Sequence, residues 1–187
     1  MAQLSEILAF NQEFVQSGAY APYITDKFPD RHLAIISCMD ARMVELLPRA
    51  MGLKNGDAKI IKNAGALITH PFGSVMRSLL VGVYQLKVEE IFVVAHLDCG
   101  MRAMNPEEIL NNARASGITQ EVIDTLLHAG IDLNNWLKGF DDVEESVRYS
   151  VAMIKKHPLM PKNIPVHGLL MHPSTGKLSV VIEGWQD

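Results

Sequence analysis

Glu90-Ile-Phe-Val-Val-Ala-His96-Leu-Asp-Cys99 is the stretch whose reading decides the fold. Ile91 to Ala95 is an unbroken apolar run, too short for an ordinary helix and rich in β-branched and aromatic side chains, so it reads as a strand buried on both faces. Upstream, His32-Leu-Ala-Ile-Ile-Ser37 has the same character and is followed at once by Cys38. A further strand is expected over Ala58 to Lys62. Between the strands the pattern turns helical. One segment runs from about Arg42 to Met51, closed by Gly52 despite Pro48. Another covers 74 to 86, with Val75, Leu79, Val83 and Leu86 on one face behind a Ser74 cap. Strands alternating with helices at this spacing imply parallel strands joined by right-handed crossovers, the α/β class.

Toward the N-terminus, Leu4, Ile7, Leu8, Phe14 and Val15 share a stripe at helical spacing, which predicts an amphipathic helix within residues 1–17. The loop through Gly18, Pro22 and Pro29 ends it. Toward the C-terminus, Asn105-Pro106-Glu107-Glu108 combines a capping side chain with a first-turn proline, so a helix starts there, and more helices follow to about Lys156. Two apolar runs, 165–172 and 177–183, flank the turn-forming Pro173-Ser-Thr-Gly176 and predict a closing hairpin. The expected architecture is a mainly parallel β-sheet flanked by helices, with a C-terminal hairpin adding an antiparallel edge strand.

Composition narrows the function. The 187 residues, 48% of them hydrophobic, amount to a single domain spanning 1–187. A globule of this size buries roughly 70% of its unfolded surface, enough to hold a site without covalent staples. The net charge of −4, with no run of five like charges, argues against nucleic-acid binding and against a polybasic membrane surface. No apolar stretch approaches the ~20 residues of a membrane span. Met1-Ala-Gln-Leu-Ser-Glu6 lacks the basic start and apolar core of an export signal, so the expected compartment is the cytoplasm. Small-molecule chemistry is the default.

The two cysteines, Cys38 and Cys99, do not read as a disulfide scaffold, leaving buried structural thiols, a redox pair or metal ligands. In an open α/β sheet, ligands bind beyond the carboxyl ends of the strands, where crossovers diverge to opposite faces. Both cysteines fall at such ends. If the first and third strands are neighbours, Cys38 meets His96 and Cys99 in one crevice. Two thiolates and one imidazole suit tetrahedral zinc. Iron–sulfur clusters need more thiolates, and oxygen-seeking Mg or Ca would reject these ligands. Three protein ligands leave a fourth position open, the mark of a catalytic site. Neither cysteine sits in a C-x-x-C pair, which weighs against redox chemistry.

Cys38-Met39-Asp40-Ala41-Arg42 resembles the Cys-x-Asp-x-Arg motif of the β-class carbonic anhydrases. His96-Leu97-Asp98-Cys99-Gly100 is similar to that family's His-x-x-Cys-Gly, at the expected distance of about sixty residues. Lys62-Asn63-Ala64-Gly65 looks like the Asn-Ala-Gly loop of its small-chain members, and the closing hairpin also fits. The resemblance covers residues 32 to 183. It implies one zinc ion per chain on Cys38, His96 and Cys99, with Asp40 and Arg42 as a dyad beside it. It also implies a homodimer or higher even oligomer with sites lined by both subunits, and interconversion of CO2 and bicarbonate. By the same resemblance the Gly100 backbone N–H contacts bicarbonate.

The physical logic of the dyad is independent of the family. Two thiolates cancel the formal charge of zinc, so the metal alone acidifies a bound water less than three neutral histidines would allow. Asp40 can accept a hydrogen bond from that water, and the planar Arg42 fork can keep Asp40 ionised and correctly turned. Asp98 reads either as ordering the ligand loop or as a solvated carboxylate. Among the other histidines, His70 is the best placed for proton transfer, though a surface or capping role is the stronger expectation.

The sequence also departs from the family pattern. Pro29, Asp30 and Arg31 stand where plant-type members carry a substrate-contacting glutamine, and Ala41 and Leu97 replace the common serine and threonine. Other readings are hydrolysis of CO2 analogues such as CS2 or COS on the same zinc site, a non-enzymatic zinc or thiol sensor, and a metal-free binding module.

Overall fold

The structure, a computed structural model, describes residues 3–185. Met1 and Ala2, which belong to the expected N-terminal helix and leader reading, lie outside the described residues. The five strands are β1 (Leu33–Cys38), β2 (Ala58–Asn63), β3 (Glu90–His96), β4 (Val166–Met171) and β5 (Leu178–Ile182). They form one sheet in the order β2-β1-β3-β4-β5. β1 pairs parallel with β2 and β3, β3 pairs parallel with β4, and β5 runs antiparallel to β4 at the edge. The expected α/β class and the antiparallel edge strand are both present.

Every residue of β1 and β4 is buried, as unbroken apolar runs require. Alternation sends Ala34 and Ile36 to one face and Ile35 to the other. On the first face Ala34, Ile36, Ile91 and Val93 pack against Met76 and Leu79 of α3 (Ser74–Gln85) and Val147, Val151 and Ile154 of α7 (Val143–Lys155). On the second, Ile35, Val94 and Met171 meet Met43 and Leu47 of α2 (Met43–Ala50). Full burial of each such side chain contributes on the order of 1.5–3 kcal/mol. Because α2 and α3 cover opposite faces, the chain reverses its direction of winding between β1 and β3. A crevice therefore opens beyond their carboxyl ends.

The helix boundaries differ from the sequence reading in one instructive place. Ser74 is the first residue inside α3 and Gly73 occupies the cap position, with no side-chain cap bond. Asn105 does cap α4 (Pro106–Ala115), its side chain accepting from the Glu107 N–H at 3.0 Å. Two short helices, α5 (Gln120–His128) and α6 (Leu133–Leu137), lead on to α7. The N-terminal helix α1 (Gln3–Gln16) forms as expected, yet none of its residues is buried. No helix among the described residues is long and apolar enough to cross a membrane.

The α7 layer approaches β4 closely where Gly168 leaves room. A Cβ there would lie 2.6 Å from Val147 Cγ1 and 3.4 Å from Val151 Cγ2. Gly168→Ala should destabilise the protein by about 1–3 kcal/mol through overpacking, read as a lower midpoint in thermal or urea unfolding. An unchanged midpoint would mean that α7 is not seated on β4 as described.

Candidate metal centre

β1 ends in Cys38 and β3 ends in His96, and because these strands are neighbours the two side chains emerge side by side. The chain then turns through Leu97 and Asp98, the latter at φ +53°, to bring Cys99 back to the same point. Cys38 Sγ and Cys99 Sγ are 3.8 Å apart. With the ring of His96 they form a buried cluster whose donor atoms all lie within 4.8 Å of one another, a group that could hold a metal ion.

The chemistry of the donors fits such an ion. His96 Nδ1 lies 2.8 Å from the Leu97 carbonyl oxygen, which can only accept, so Nδ1 carries the proton and Nε2 presents its lone pair. Nε2 is buried without a hydrogen bond. An orphaned buried nitrogen is costly unless something else fills the position. The sulfur separation also matches the ~3.8 Å edge of a tetrahedron built on metal–sulfur bonds of ~2.3 Å.

Backbone N–H groups support negative charge on sulfur. Cys38 Sγ accepts from Asp40 N–H at 3.5 Å, and its pKa is pulled down to about 4, first by its hydrogen bond with the Cys99 thiol and also by the N–H groups of Asp40 and Gly65, against the opposing effect of burial. Cys99, in hydrogen-bond contact with Cys38 and buried, is pushed up. Gly65 sits at φ +77°, and a Cβ there would meet Met101 Cγ at 3.1 Å and Phe140 Cε1 at 3.2 Å. Glycine is therefore what lets the loop after β2 approach the sulfurs.

The expected dyad is formed. Arg42 Nε donates to Asp40 Oδ1 at 3.0 Å and Nη2 donates to Oδ2 at 2.8 Å. These bonds, helped by the Arg42 backbone N–H, hold the Asp40 carboxyl well below the usual carboxylate range. Asp40 Oδ2 lies 3.7 Å from His96 Nε2, so the carboxylate faces the ligand cluster.

The sequence matches the family model described as Carbonic anhydrase over residues 33–178. The chain is also 40% identical to β-carbonic anhydrase isoform I from Trichomonas vaginalis, whose crystal structure it matches with a TM-score of 0.89 over 98% of this chain and 100% of that one. The chain belongs to the β-carbonic anhydrase family. It is 56% identical over 186 residues to YvdA of Bacillus subtilis, provisionally named a carbonic anhydrase, covering 100% of this chain and 94% of that protein. A carbon disulfide hydrolase of Acidithiobacillus thiooxidans is 30% identical over 158 residues, covering 80% of this chain and 76% of that one. The family and its members support carbonic anhydrase activity.

Several parts of this family member's site escape a linear reading. Asp98 is bound to Arg42, whose Nη1 donates to its carboxylate at 2.9 Å and whose Nη2 donates to its carbonyl oxygen at 2.9 Å. Lys62 Nζ reaches the carbonyl oxygens of Cys38 (3.2 Å) and Met43 (3.3 Å) and Ser37 Oγ (3.4 Å), pinning the end of β1 to the start of α2. Desolvation lowers the Lys62 pKa. A cleft of about 660 Å³ opens beside the loop after β2, lined by Asn63, Ala64 and Met101 and by Asn135, Trp136 and Lys138, with none of the three clustered donors in its wall. The wall from α6 carries no motif that sequence could flag. His70 lines the same cleft, but its Nδ1 accepts from Phe72 N–H at 3.0 Å, a local turn bond of the capping kind. Gly100 is exposed, and a Cβ there would meet nothing within 4 Å.

Replacing Cys38 by Ser removes one soft donor from a three-residue set. Zinc affinity, measured by competition with a chelator, should fall by more than the roughly tenfold to hundredfold typical of losing an outer partner of a ligand. Equal affinity in the two proteins would take Cys38 out of the metal centre.

Proposed function

We propose that the chain, as a single domain, catalyses the reversible hydration of CO2 to bicarbonate and a proton with one zinc ion held by Cys38, His96 and Cys99. The observation that carries this reading is the buried meeting of two thiol sulfurs with an unsatisfied imidazole nitrogen, beside a carboxylate kept ionised by its arginine. Zinc, when bound, supplies Lewis acidity toward water at the position that three protein ligands leave free.

The residues of the chain do the rest. Asp40 presents a carboxylate oxygen toward the cluster, where it accepts a hydrogen bond from the reacting water and orients it toward carbon. Arg42 fixes that carboxylate bidentately and keeps it from taking up a proton. Gly100 is assigned a backbone contact to bicarbonate, supported by its place in the His96-x-x-Cys99-Gly100 motif and by the open space at its Cα. The cytoplasm is the proposed compartment, where both free cysteines would stay reduced.

The functional unit is proposed to be a homodimer or a higher even assembly. Its support is α1, whose exposed Leu4, Ile7 and Leu8 form an apolar face left uncovered among the described residues. Sedimentation should show the Leu8→Glu variant shifted toward monomer relative to the wild type. An equal distribution of species would remove α1 from the interface.

A second reading, hydrolysis of CS2 or COS on the same centre, is favoured by the similarity to the Acidithiobacillus thiooxidans carbon disulfide hydrolase. Stopped-flow turnover of CO2 and CS2 by the same zinc-loaded protein separates the two. The proposal expects CO2 hydration to dominate, and turnover of CS2 alone would replace it. Asp40→Asn should retain zinc while CO2 hydration drops by about 10²-fold or more, the scale of a positioned acid–base group. Undiminished turnover would remove Asp40 from the reaction.

A further inference from the structure

The proposed reaction employs Asp40 and Arg42 and leaves Asp98 without a part. Asp98 lies in the short loop between the ligands His96 and Cys99, in the left-handed backbone region at φ +53°. Aspartate enters that region more readily than most side chains do. In this conformation its carboxylate and its carbonyl both face one guanidinium. Arg42 Nη1 donates to Asp98 Oδ2 and Arg42 Nη2 donates to Asp98 O, each at 2.9 Å. The adjacent edge of the same guanidinium, Nε and Nη2, is on Asp40, with Nη2 shared between the two. One planar group is thus held along two edges, by Asp40 just before it in the chain and by Asp98, 56 residues after it.

Fold stability does not account for the arrangement. The Asp98 side chain is 84% exposed, and exposed ion pairs contribute little to folding. Orientation does account for it. A fork held along one edge pivots about that edge, whereas a fork held along two is fixed. The consequence falls on Asp40, whose Oδ2 is already only 3.7 Å from His96 Nε2. A carboxylate released by its arginine at that distance would swing onto a bound metal and fill the position that substrate chemistry needs.

We propose that Asp98 is a positioning residue, the second holder of the Arg42 guanidinium, which keeps Asp40 turned aside and the fourth coordination position free. This rests on the zinc-site reading above. The test has two readouts. In the metal-free protein at one fixed pH, hydrogen exchange of the Arg42 side-chain Nε–H is followed by NMR. Asp98→Ala should speed that exchange about tenfold or more, and Asp98→Asn, whose amide oxygen still accepts, should fall between Ala and wild type. Identical exchange in wild type and Asp98→Ala overturns the proposal.

In the cobalt-substituted holoprotein, thiocyanate binding is read from the visible absorption. Asp98→Ala should lose about tenfold or more in thiocyanate affinity at unchanged cobalt content, kcat for CO2 should fall with it, and Asp98→Asn should recover most of both. Equal thiocyanate affinity in wild type and Asp98→Ala also overturns it. Wild-type protein that binds cobalt and thiocyanate without hydrating CO2 would sink the carbonic anhydrase reading, and the exchange and thiocyanate comparisons would still decide the role of Asp98.

Discussion

Parallel pairing of β1 with β3, from Leu33 opposite Glu90 to Ser37 opposite Val94, sets where Cys38 and His96 leave the sheet. The pairing is specified by two short apolar runs that can be buried only between helical layers. Those layers lie on opposite faces because the chain winds one way after β1 and the other way after β2. The same reversal that solves the packing problem leaves an uncovered gap at the carboxyl ends. Everything at the centre is built by residues within a few positions of that gap: Asp40 and Arg42 just after β1, Asn63 to Gly65 just after β2, and Asp98 to Gly100 just after β3.

Burying two sulfurs that must carry charge is the main electrostatic difficulty of such a place. The structure meets it largely with fixed backbone dipoles. N–H groups of Asp40 and Gly65 point at Cys38, and that of Met101 points at Cys99. Lys62, the nearest lysine in the network, spends its donors on backbone carbonyls and Ser37, where it organises the turn out of β1. The negative charge that remains mobile, on Asp40, is the one given to Arg42. Structure and reactivity meet in that allocation: groups that hold the sulfurs are backbone and rigid, whereas the group that would act on water is a side chain held by another side chain.

Much of this was legible in the sequence, for physical reasons that differ from residue to residue. The strands could be read because unbroken apolar runs have few other uses in a chain of this size. The meeting of Cys38, His96 and Cys99 could be read because thiol and imidazole donors at neighbouring strand ends have few other uses, and the closing hairpin because Pro173 to Gly176 can hardly do anything except turn. Asp98 was ambiguous because its partner depends on a left-handed backbone angle, which no spacing rule reports. The sequence assigned Lys62 no role of its own, since its acceptors come from Ser37, Cys38 and Met43, 19 to 25 residues away. The α6 wall of the cleft was invisible because Asn135, Trp136 and Lys138 matter there only through their position. The missed cap at Gly73 reflects how little separates serine just inside a helix from serine at its boundary.

The central claim is that Cys38, His96 and Cys99 share one metal ion. Crystals of zinc-loaded protein, measured on both sides of the zinc absorption edge, test it most directly. The account predicts one anomalous peak per chain, bonded to Cys38 Sγ, His96 Nε2 and Cys99 Sγ. A peak bonded elsewhere, or a Cys38–Cys99 disulfide with no peak between those sulfurs in reduced, zinc-saturated protein, would contradict it.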